Sequence, residues 1–257
     1  MSSRVLLIGH WIGYSASPAM QNAALHELGL PVTYQLCDVE PIGLAEAVSH
    51  LRDDGVLGAN VTTPHKVAVL DLVDQIDASA ARVGAANVIV RRNGDLVAHS
   101  TDLAAIAAEL GWFRFATTRR AVVLGAGGAA RAVAAALTDA GWQDVCLLTR
   151  DAWSELPARL AAADLLVNAT PIGTGSDESP VSVDSLRAEL PVLDLVYRPS
   201  PTRLVSESRA SGAPARAGAG VLLGQAALSF TLWTNRPAPV PVMRAALRSE
   251  LGSGADV

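Results

Sequence analysis

The chain of 257 residues carries a formal net charge of −5 at pH 7, and half of its residues are hydrophobic. No uninterrupted apolar run reaches the roughly 20 residues that a membrane-spanning helix requires, and the scattered basic residues provide no face for nucleic acid. The N-terminal residues enter a predicted strand without the apolar segment of a signal peptide, so we expect a cytoplasmic protein that binds neither membrane nor nucleic acid.

The first part of the chain predicts an α/β unit. The predicted strands are residues 5–8, 33–39, 56–62, 88–91 and 96–99, and the predicted helices are residues 18–28, 44–51, 66–73 and 102–110. Asn93-Gly94, between the last two strands, is the dipeptide favoured by type I′ hairpin turns. Because this unit has no glycine turn of the phosphate-binding kind, we expect it to bind a small-molecule substrate.

A glycine-rich turn near the middle of the chain predicts a second unit that binds a dinucleotide. Residues 121–124 form a buried strand, and residues 128–137 form an alanine-rich helix. Gly125 allows a sharp turn, Gly127 allows close approach to a pyrophosphate, and the small Ala130 allows helix and strand to pack closely. The N–H groups at the start of the helix would face the phosphate. From the pattern alone, a purely structural glycine turn is the alternative.

Three more strands follow at residues 145–148, 165–167 and 192–196, and they alternate with helical stretches, which favours a doubly wound parallel sheet. Helices at residues 225–233 and 241–251 have no strands of their own, so we expect them to pack on the first unit. The predicted fold class is α/β with two domains and a cleft between them. Residues 1–102, completed by 224–257, form an N-terminal substrate-binding domain, and residues 103–223 form a Rossmann-type dinucleotide-binding domain.

The cysteines predict neither a disulfide nor a metal site. Cys37 and Cys146 both lie in apolar, strand-like runs, where a cysteine is usually a small buried hydrophobic residue. The cysteines and the five histidines also lack the spacing of metal ligands. We therefore expect no bound metal.

Polar residues cluster at the ends of strands in the first unit, where open α/β sheets bind ligands. Ser15 and Ser17 follow the first strand, although Ser17 before Pro18 also fits a helix N-cap. Lys66 opens a predicted helix, where its charge opposes the helix dipole, which favours a functional role. Asp102 fits an N-terminal helix acid as well as a functional acid. Asn60 and Thr62 share one face of a strand.

The motifs that contain these residues resemble those of the shikimate and quinate dehydrogenases, in the same order along the chain. The similarity spans about residues 5–235. The matching segments are residues 13–18 with Asn22, 60–66, 84–87, 100–102, 125–129, 168–170, 194–199 and 220–225.

The resemblance implies an NAD(P)-dependent oxidoreductase that acts on a CH–OH group and reduces 3-dehydroshikimate to shikimate in the chorismate pathway of aromatic amino-acid biosynthesis. Lys66 and Asp102 would be the catalytic pair, with the lysine ammonium stabilising the carbonyl oxygen and delivering a proton. The implied substrate-binding residues are Ser15, Ser17, Asn60, Thr62, Asn87, Tyr197 and Gln225. The implied cofactor-binding residues are Gly125, Ala126, Gly127, Gly128, Ala129, Thr149, Arg150, Asn168, Ala169, Thr170, Val196 and Gly218.

The choice between NADP and NAD depends on the end of the second strand of the dinucleotide-binding unit. Family members that use NADP typically have Asn-Arg-Thr and a further arginine, where this chain has Thr149-Arg150-Asp151 and Ser154. Arg150 could bind a 2′-phosphate. Asp151 would repel that phosphate unless it points away as a helix N-cap. The residues slightly favour NADP, and NAD remains open.

Other departures surround the implied substrate contacts. Tyr14 and Gln21 replace two histidines, Ser100 replaces an asparagine, Ala98 replaces a glycine, and Pro171 stands where serine is common. A quinate or aminoshikimate dehydrogenase therefore stays an alternative, and a catalytically silent nucleotide-binding regulator is an alternative of a different class. We expect a monomer or a homodimer.

Overall fold

The computed structural model describes residues 3–113, 115 and 120–252. The chain folds into two compact units. Unit 1 contains Met1–Asp102 and Leu223–Glu250, and unit 2 is built around Leu103–Leu222. In the described part of the chain, none of the helices combines the length and the apolar character that crossing a bilayer requires.

Unit 1 contains a six-stranded mixed sheet. Its strands are β1 (Ser3–Gly9), β2 (Val32–Asp38), β3 (Val56–Val61), β4 (Gln75–Ile76), β5 (Val88–Arg92) and β6 (Asp95–His99). They lie in the order β2-β1-β3-β5-β6-β4. Because β1 pairs in parallel with both β2 and β3, the carboxyl ends of these three strands lie at one edge of the sheet. The polar residues predicted to bind the substrate follow β1 and β3.

Helices cover this sheet and connect it to the rest of the chain. They are α1 (Ser17–Glu27), α2 (Leu44–Ser49) and α3 (Ala78–Val83), and α4 (Asp102–Leu110) begins at the last residue of the first segment of unit 1.

Unit 2 contains a five-stranded parallel sheet. Its strands are β7 (Arg120–Leu124), β8 (Asp144–Leu148), β9 (Leu165–Asn168), β10 (Val192–Asp194) and β11 (Ala215–Ala217), and its helices are α5 (Gly128–Asp139), α6 (Leu156–Ala161) and α7 (Arg203–Ala210). The order β8-β7-β9-β10-β11 is that of a doubly wound sheet whose strand order reverses between β7 and β9. Ligands of such sheets bind at the carboxyl ends of the strands at this reversal.

The two last helices return the chain to unit 1. They are α8 (Ala219–Thr234) and α9 (Val240–Leu251). From Leu223 onward α8 belongs to unit 1. Trp233 Nε1 donates to the Ile89 carbonyl oxygen at 3.0 Å, and Gln21 Nε2 donates to the Ala226 carbonyl oxygen at 3.0 Å.

The structure confirms the α/β fold class and the predicted strands. Asn93 and Gly94 have φ values of 53° and 95°, as a type I′ turn requires. The predictions missed β4, β11, α3, α6 and α7, which are short or polar.

The predicted helix over residues 66–73 is wrong. Only Ala68–Leu72 is helical there, as a 3-10 helix. The Lys66 carbonyl accepts the Ala86 N–H at 2.8 Å, and the Leu70 N–H donates to the Val67 carbonyl at 3.2 Å rather than to Lys66. Lys66 therefore does not lie in the first turn of an α-helix, and the argument from the helix dipole does not apply.

Gly58 allows β3 and β5 to approach each other, and we expect Gly58→Ala to destabilise unit 1. Gly58 has a φ of +150°, and an added Cβ would collide with the Ile89 carbonyl oxygen and lie 3.0 Å from Trp233 Nε1. Gly94→Ala is the matched control, since Gly94 also has positive φ but an added Cβ would meet nothing within 4 Å. In urea unfolding we expect a loss of about 1–2 kcal/mol for Gly94→Ala and about 1–3 kcal/mol more for Gly58→Ala. Equal losses of unfolding free energy in the two variants would mean that β3 and β5 can accommodate a Cβ atom at position 58.

Candidate functional site

The loop after β1 is fixed by a carboxylate at the end of β2. Asp38 accepts hydrogen bonds from His10 Nδ1 at 3.0 Å and from the main-chain N–H groups of Trp11 and Ile12, both at 3.2 Å. The hydrogen bond from His10 is the largest influence that holds the pKa of Asp38 below its usual value. Three donors on one exposed carboxylate thus determine the path of the loop that leads to the two serines.

Ser15 and Ser17 lie at the start of α1, but not as an N-cap pair. The helix begins at Ser17 itself, and the N-cap position is Ala16, which has no capping side chain. The N-cap interpretation of Ser17 is therefore wrong. Instead, the Ser17 N–H donates to Ser15 Oγ at 3.2 Å, which sets the distance between the two hydroxyl-bearing residues.

Asn60 lies in β3 and is held on every side by protein groups. Its Oδ1 accepts from the Tyr34 hydroxyl at 2.8 Å, and its Nδ2 donates to the Asn87 carbonyl oxygen at 2.9 Å and to Ser229 Oγ at 3.2 Å. Both amide protons are therefore used within unit 1. Thr62 follows β3 directly, and its N–H donates to the Ile8 carbonyl oxygen at 2.9 Å.

Lys66 and Asp102 form the closest contact between charged side chains in this region. Lys66 Nζ lies 2.6 Å from Asp102 Oδ2, and the two side chains are 15% and 11% exposed. Lys66 is also the only lysine in the chain, against 19 arginines among the 20 basic residues. The pair thus places one titratable amine beside one carboxylate in a largely buried position.

Asn87 connects this pair to its surroundings. The Thr101 N–H donates to Asn87 Oδ1 at 2.7 Å. Asn87 Nδ2 lies 2.8 Å from Thr101 Oγ1, 3.0 Å from Asp102 Oδ1 and 3.2 Å from Gln225 Oε1. Asp102 therefore accepts from Asn87 on one oxygen and from Lys66 on the other, which fixes the plane of its carboxylate.

In unit 2, the glycine turn after β7 has the geometry of a phosphate-binding loop. Gly125 has a φ of +109°, and an added Cβ would lie 3.1 Å from the Ala169 carbonyl oxygen. At Gly127 an added Cβ would meet no protein atom within 4 Å, so a ligand could approach this backbone closely. Helix α5 begins at Gly128, and its first N–H groups have no acceptor within the helix. Ala126 lies in the same turn, and Ala129 is the second residue of α5.

The segment after β9 is fixed by Asn168, which is completely buried. Asn168 Oδ1 accepts from the N–H and the hydroxyl of Thr170, at 3.1 and 2.6 Å, and Nδ2 donates to Asp194 Oδ1 at 2.9 Å and to the Ile172 carbonyl oxygen at 3.2 Å. Its side chain is therefore used by the protein, and it holds the Ala169-Thr170 segment in place.

The end of β8 carries the residues expected to distinguish NADP from NAD. A 3-10 helix begins at Arg150 with Thr149 as its N-cap residue, so Asp151 is not the N-cap and that expectation is wrong. Asp151 accepts a hydrogen bond from the Thr149 side chain, which is the main cause of its lowered pKa. The Arg150 guanidinium lies 5.7 Å from the centre of the Trp153 ring. The acid is thus bonded to its neighbour, and the arginine is stacked on an indole.

Val196, Gly218 and Tyr197 also belong to unit 2. Gly218 N–H donates to the Val196 carbonyl oxygen at 3.0 Å, which joins the segment after β10 to the start of α8. Tyr197 is half-buried in the same segment.

Known proteins match this chain along almost its whole length. The model of the shikimate dehydrogenase substrate binding domain matches residues 7–89, and that of the shikimate 5′-dehydrogenase C-terminal domain matches residues 218–248. The NADP(+) shikimate dehydrogenase of Methanopyrus kandleri is 40% identical over 95% of this chain and 94% of its own. The chain belongs to the shikimate dehydrogenase family.

Two solved structures of related proteins have the same fold. Shikimate 5-dehydrogenase of Thermus thermophilus, in complex with NADP(H) and shikimate, has a TM-score of 0.85 at 34% identity and covers 97% of this chain and 100% of its own. Quinate dehydrogenase of Corynebacterium glutamicum, in complex with NAD, has a TM-score of 0.82 at 29% identity and covers 96% and 99%.

The structure brings most of the family motifs together within each unit. One connected set of hydrogen bonds in unit 1 contains five of the predicted site residues. They are Lys66, Asp102, Asn87, Asn60 and Gln225. Ser15 lies in the loop after β1 and Ser17 at the start of α1. The segments of unit 2 expected to bind the dinucleotide follow the carboxyl ends of its strands.

Sequence reasoning missed two residues that hold these motifs in place. They are Asp38 and Ser229, which act on the loop after β1 and on Asn60. No local pattern indicates them, because their partners are distant in sequence. It also overlooked that Lys66 is the only lysine, a signal that the composition contained.

The stability of unit 2 should depend on pH through Asp194. Burial raises the pKa of Asp194 from 3.8 to about 6, although Thr202, Val196 and Asn168 all donate to its carboxylate. Since the folded pKa exceeds the unfolded one, the folded protein binds the extra proton, and this contribution to stability is present below pH 3.8 and lost as pH rises through about 6.

Asp194→Asn removes this titration, so we expect the difference in unfolding free energy between the wild type and the variant to fall by on the order of 3 kcal/mol from pH 4 to pH 7. Urea unfolding at several pH values measures it. A constant difference would contradict the assignment.

Proposed function

We propose that this protein catalyses the reversible NADP(H)-dependent reduction of 3-dehydroshikimate to shikimate. The observation that carries the proposal is the 2.6 Å contact between Lys66 and Asp102. This contact lies in the unit that the family's substrate-binding model matches. The relatives at 33–40% identity named as NADP(+) shikimate dehydrogenases support the same reaction.

In this proposal, residues 1–102 with 224–257 bind the substrate and residues 103–223 bind the dinucleotide. The residues assigned to the carboxylate and ring hydroxyls of the substrate are Ser15, Ser17, Asn60, Thr62, Asn87, Tyr197 and Gln225. Because both Asn60 amide protons are used by the protein, Asn60 can contribute only its oxygen to a ligand. The enzyme acts in the cytoplasm, as a monomer or a homodimer, in aromatic amino-acid biosynthesis.

Lys66 is the group that moves the proton at the reacting carbon–oxygen bond. During reduction the carbonyl oxygen gains negative charge, and an ammonium beside it stabilises that charge and transfers a proton to it. In the reverse direction the neutral amine accepts the hydroxyl proton. Asp102 holds Nζ in place through Oδ2, and Asn87 holds Asp102 through Oδ1. The nicotinamide, when bound, supplies or accepts the hydride.

The residues of unit 2 fit a dinucleotide phosphate. The positive φ of Gly125, the open approach to Gly127 and the start of α5 at Gly128 are what a pyrophosphate site requires. Arg150 would bind the 2′-phosphate of NADP. Trp153 orients the guanidinium from one side, and Asp151 is engaged by Thr149.

Rates with shikimate and quinate, each with NADP and NAD, test the proposal through the absorbance of the reduced nicotinamide. The highest kcat/KM is expected for shikimate with NADP. A preference for quinate would favour the alternative that the quinate dehydrogenase neighbour suggests. Binding of NADPH without turnover of any acid would favour a silent nucleotide-binding regulator.

Replacing Lys66 should remove its contribution to proton transfer. We expect Lys66→Met to reduce kcat by about 10²- to 10⁴-fold, the usual contribution of a general acid–base. Lys66→Arg should also lose turnover, because arginine keeps the charge but does not release a proton. Arg52→Ala is the control, since it removes a cation from the exposed 2.7 Å ion pair with Asp74 in the same unit. A Lys66→Arg variant with kcat close to that of the wild type would contradict the role.

Arg150→Ala should weaken the binding of NADP more than the binding of NAD. A hydrogen bond between charged groups contributes about 1.5–3 kcal/mol, so we expect KM for NADP to rise about 10- to 100-fold and KM for NAD to change little. Arg159→Ala, which removes the exposed pair with Glu155 in the same unit, controls for general loss of positive charge. An equal rise for both cofactors would show that Arg150 does not read the 2′-phosphate.

A further inference from the structure

The hydrogen bonds around Asn87 extend to Ser229, a completely buried residue of α8. Ser229 Oγ donates to the Gln225 carbonyl oxygen at 2.7 Å, one turn earlier in the same helix. It also lies 3.2 Å from Asn60 Nδ2 and 3.1 Å from Thr101 Oγ1. A hydroxyl group has one proton and two lone pairs. Ser229 therefore uses its full hydrogen-bonding capacity, and its partners lie on three separate segments of the chain.

The direction of each proton follows from the groups that can only donate. The Thr101 N–H bonds Asn87 Oδ1, so Asn87 Nδ2 must face Thr101 Oγ1 and Asp102 Oδ1. Because Thr101 Oγ1 accepts from Asn87, its own proton goes to Ser229 Oγ. The proton of Ser229 in turn goes to the Gln225 carbonyl. One continuous chain of donors thus runs from Asn87 through Thr101 to Ser229.

We propose that Ser229 is a positioning residue that holds the Thr101 hydroxyl against the Asn87 amide and, through that amide, steadies the Asp102 carboxylate beside Lys66. Without Ser229 Oγ, the Thr101 hydroxyl loses the acceptor of its proton, so its side chain can rotate away from Asn87 Nδ2. The Thr101 N–H still holds Asn87 Oδ1, so the amide does not flip, but Nδ2 keeps only Asp102 Oδ1 and Gln225 Oε1 as acceptors. The amide can then shift toward Gln225, which weakens its hydrogen bond to the carboxylate that holds Lys66 Nζ.

The kinetic test of this proposal rests on the proposed dehydrogenase activity. Ser208→Ala is a matched control for the loss of a buried serine hydroxyl. Ser208 lies in α7, is also completely buried and also donates to the carbonyl one turn earlier, Leu204, at 2.7 Å. We expect Ser229→Ala to lower kcat about 10-fold, equivalent to about 1.4 kcal/mol. Ser208→Ala should leave kcat unchanged. Equal kcat for both variants would overturn the proposal.

Thr101 supplies a second pair of variants that does not depend on how Ser229→Ala folds. Thr101→Ser keeps the hydroxyl and should keep wild-type kcat, whereas Thr101→Val keeps the shape and should reproduce the loss. If both residues act through one chain of donors, the double variant Ser229→Ala/Thr101→Val should lose no more than either single variant. Additive losses would mean that the residues act independently, which contradicts the mechanism.

The side-chain NH₂ signals of Asn87 in ¹⁵N-labelled protein provide a readout that needs no activity. In the wild type and in Ser208→Ala these protons should exchange slowly with solvent, and in Ser229→Ala they should shift and exchange faster. Unchanged Asn87 signals in Ser229→Ala would refute the positioning role. A wild type that turns over no acid would refute the proposed function, while the amide signals would still decide the role of Ser229.

Discussion

The buried contact between Lys66 and Asp102 is the constraint on which unit 1 depends. Removing water from two charges costs free energy, and the cost is offset only where the charges meet and their remaining hydrogen-bonding groups are satisfied. Asp102 meets this condition because Asn87 donates to its second oxygen. The positions of the Lys66 and Asp102 side chains therefore depend on the position of the Asn87 amide. This dependence explains why so many buried polar groups surround Asn87, where an apolar core would be the simpler solution.

The same sheet geometry places the polar groups in both units. In unit 1 the parallel strands β2, β1 and β3 end at one edge, and the segments that follow β1 and β3 carry the serines and Lys66. In unit 2 the order reverses between β7 and β9, and the segments after these strands carry Gly125 and Asn168. Where strand order reverses, the two following connections leave on opposite faces and a crevice opens between them. The two units thus place different residues at the same point of their sheets, namely the serines and Lys66 in unit 1 and Gly125 and Asn168 in unit 2.

The sequence predicted the strands well because they are apolar runs separated by turn residues, and the glycine turn was recognised because Gly125 needs a conformation that few residues adopt. It failed where long-range bonds override local preference. Residues 66–73 have a helical pattern, but the Lys66 carbonyl bonds Ala86 N–H across the unit, and only a 3-10 turn forms. At Ser17 the reason is local, because the helix begins at Ser17 itself and Ala16 occupies the N-cap position. The family motifs identify Asn60 and Asn87, but no sequence pattern predicts that Ser229 bonds both Asn60 and Thr101.

Two departures from the family motifs, Gln21 and Ser100, make hydrogen bonds to other parts of unit 1. Gln21, which replaces a histidine, is buried, and its Nε2 donates to the Ala226 carbonyl, next to Gln225 in the chain. Ser100, which replaces an asparagine, donates its main-chain N–H to Ser79 Oγ near the start of α3, a bond that an asparagine could make equally. Of these two departures, only Gln21 uses its side chain, and that side chain supports the helix that carries Gln225. Because Asn87, Asp102 and Lys66 stay in contact beside both departures, the polar groups that the reaction of the family requires are retained.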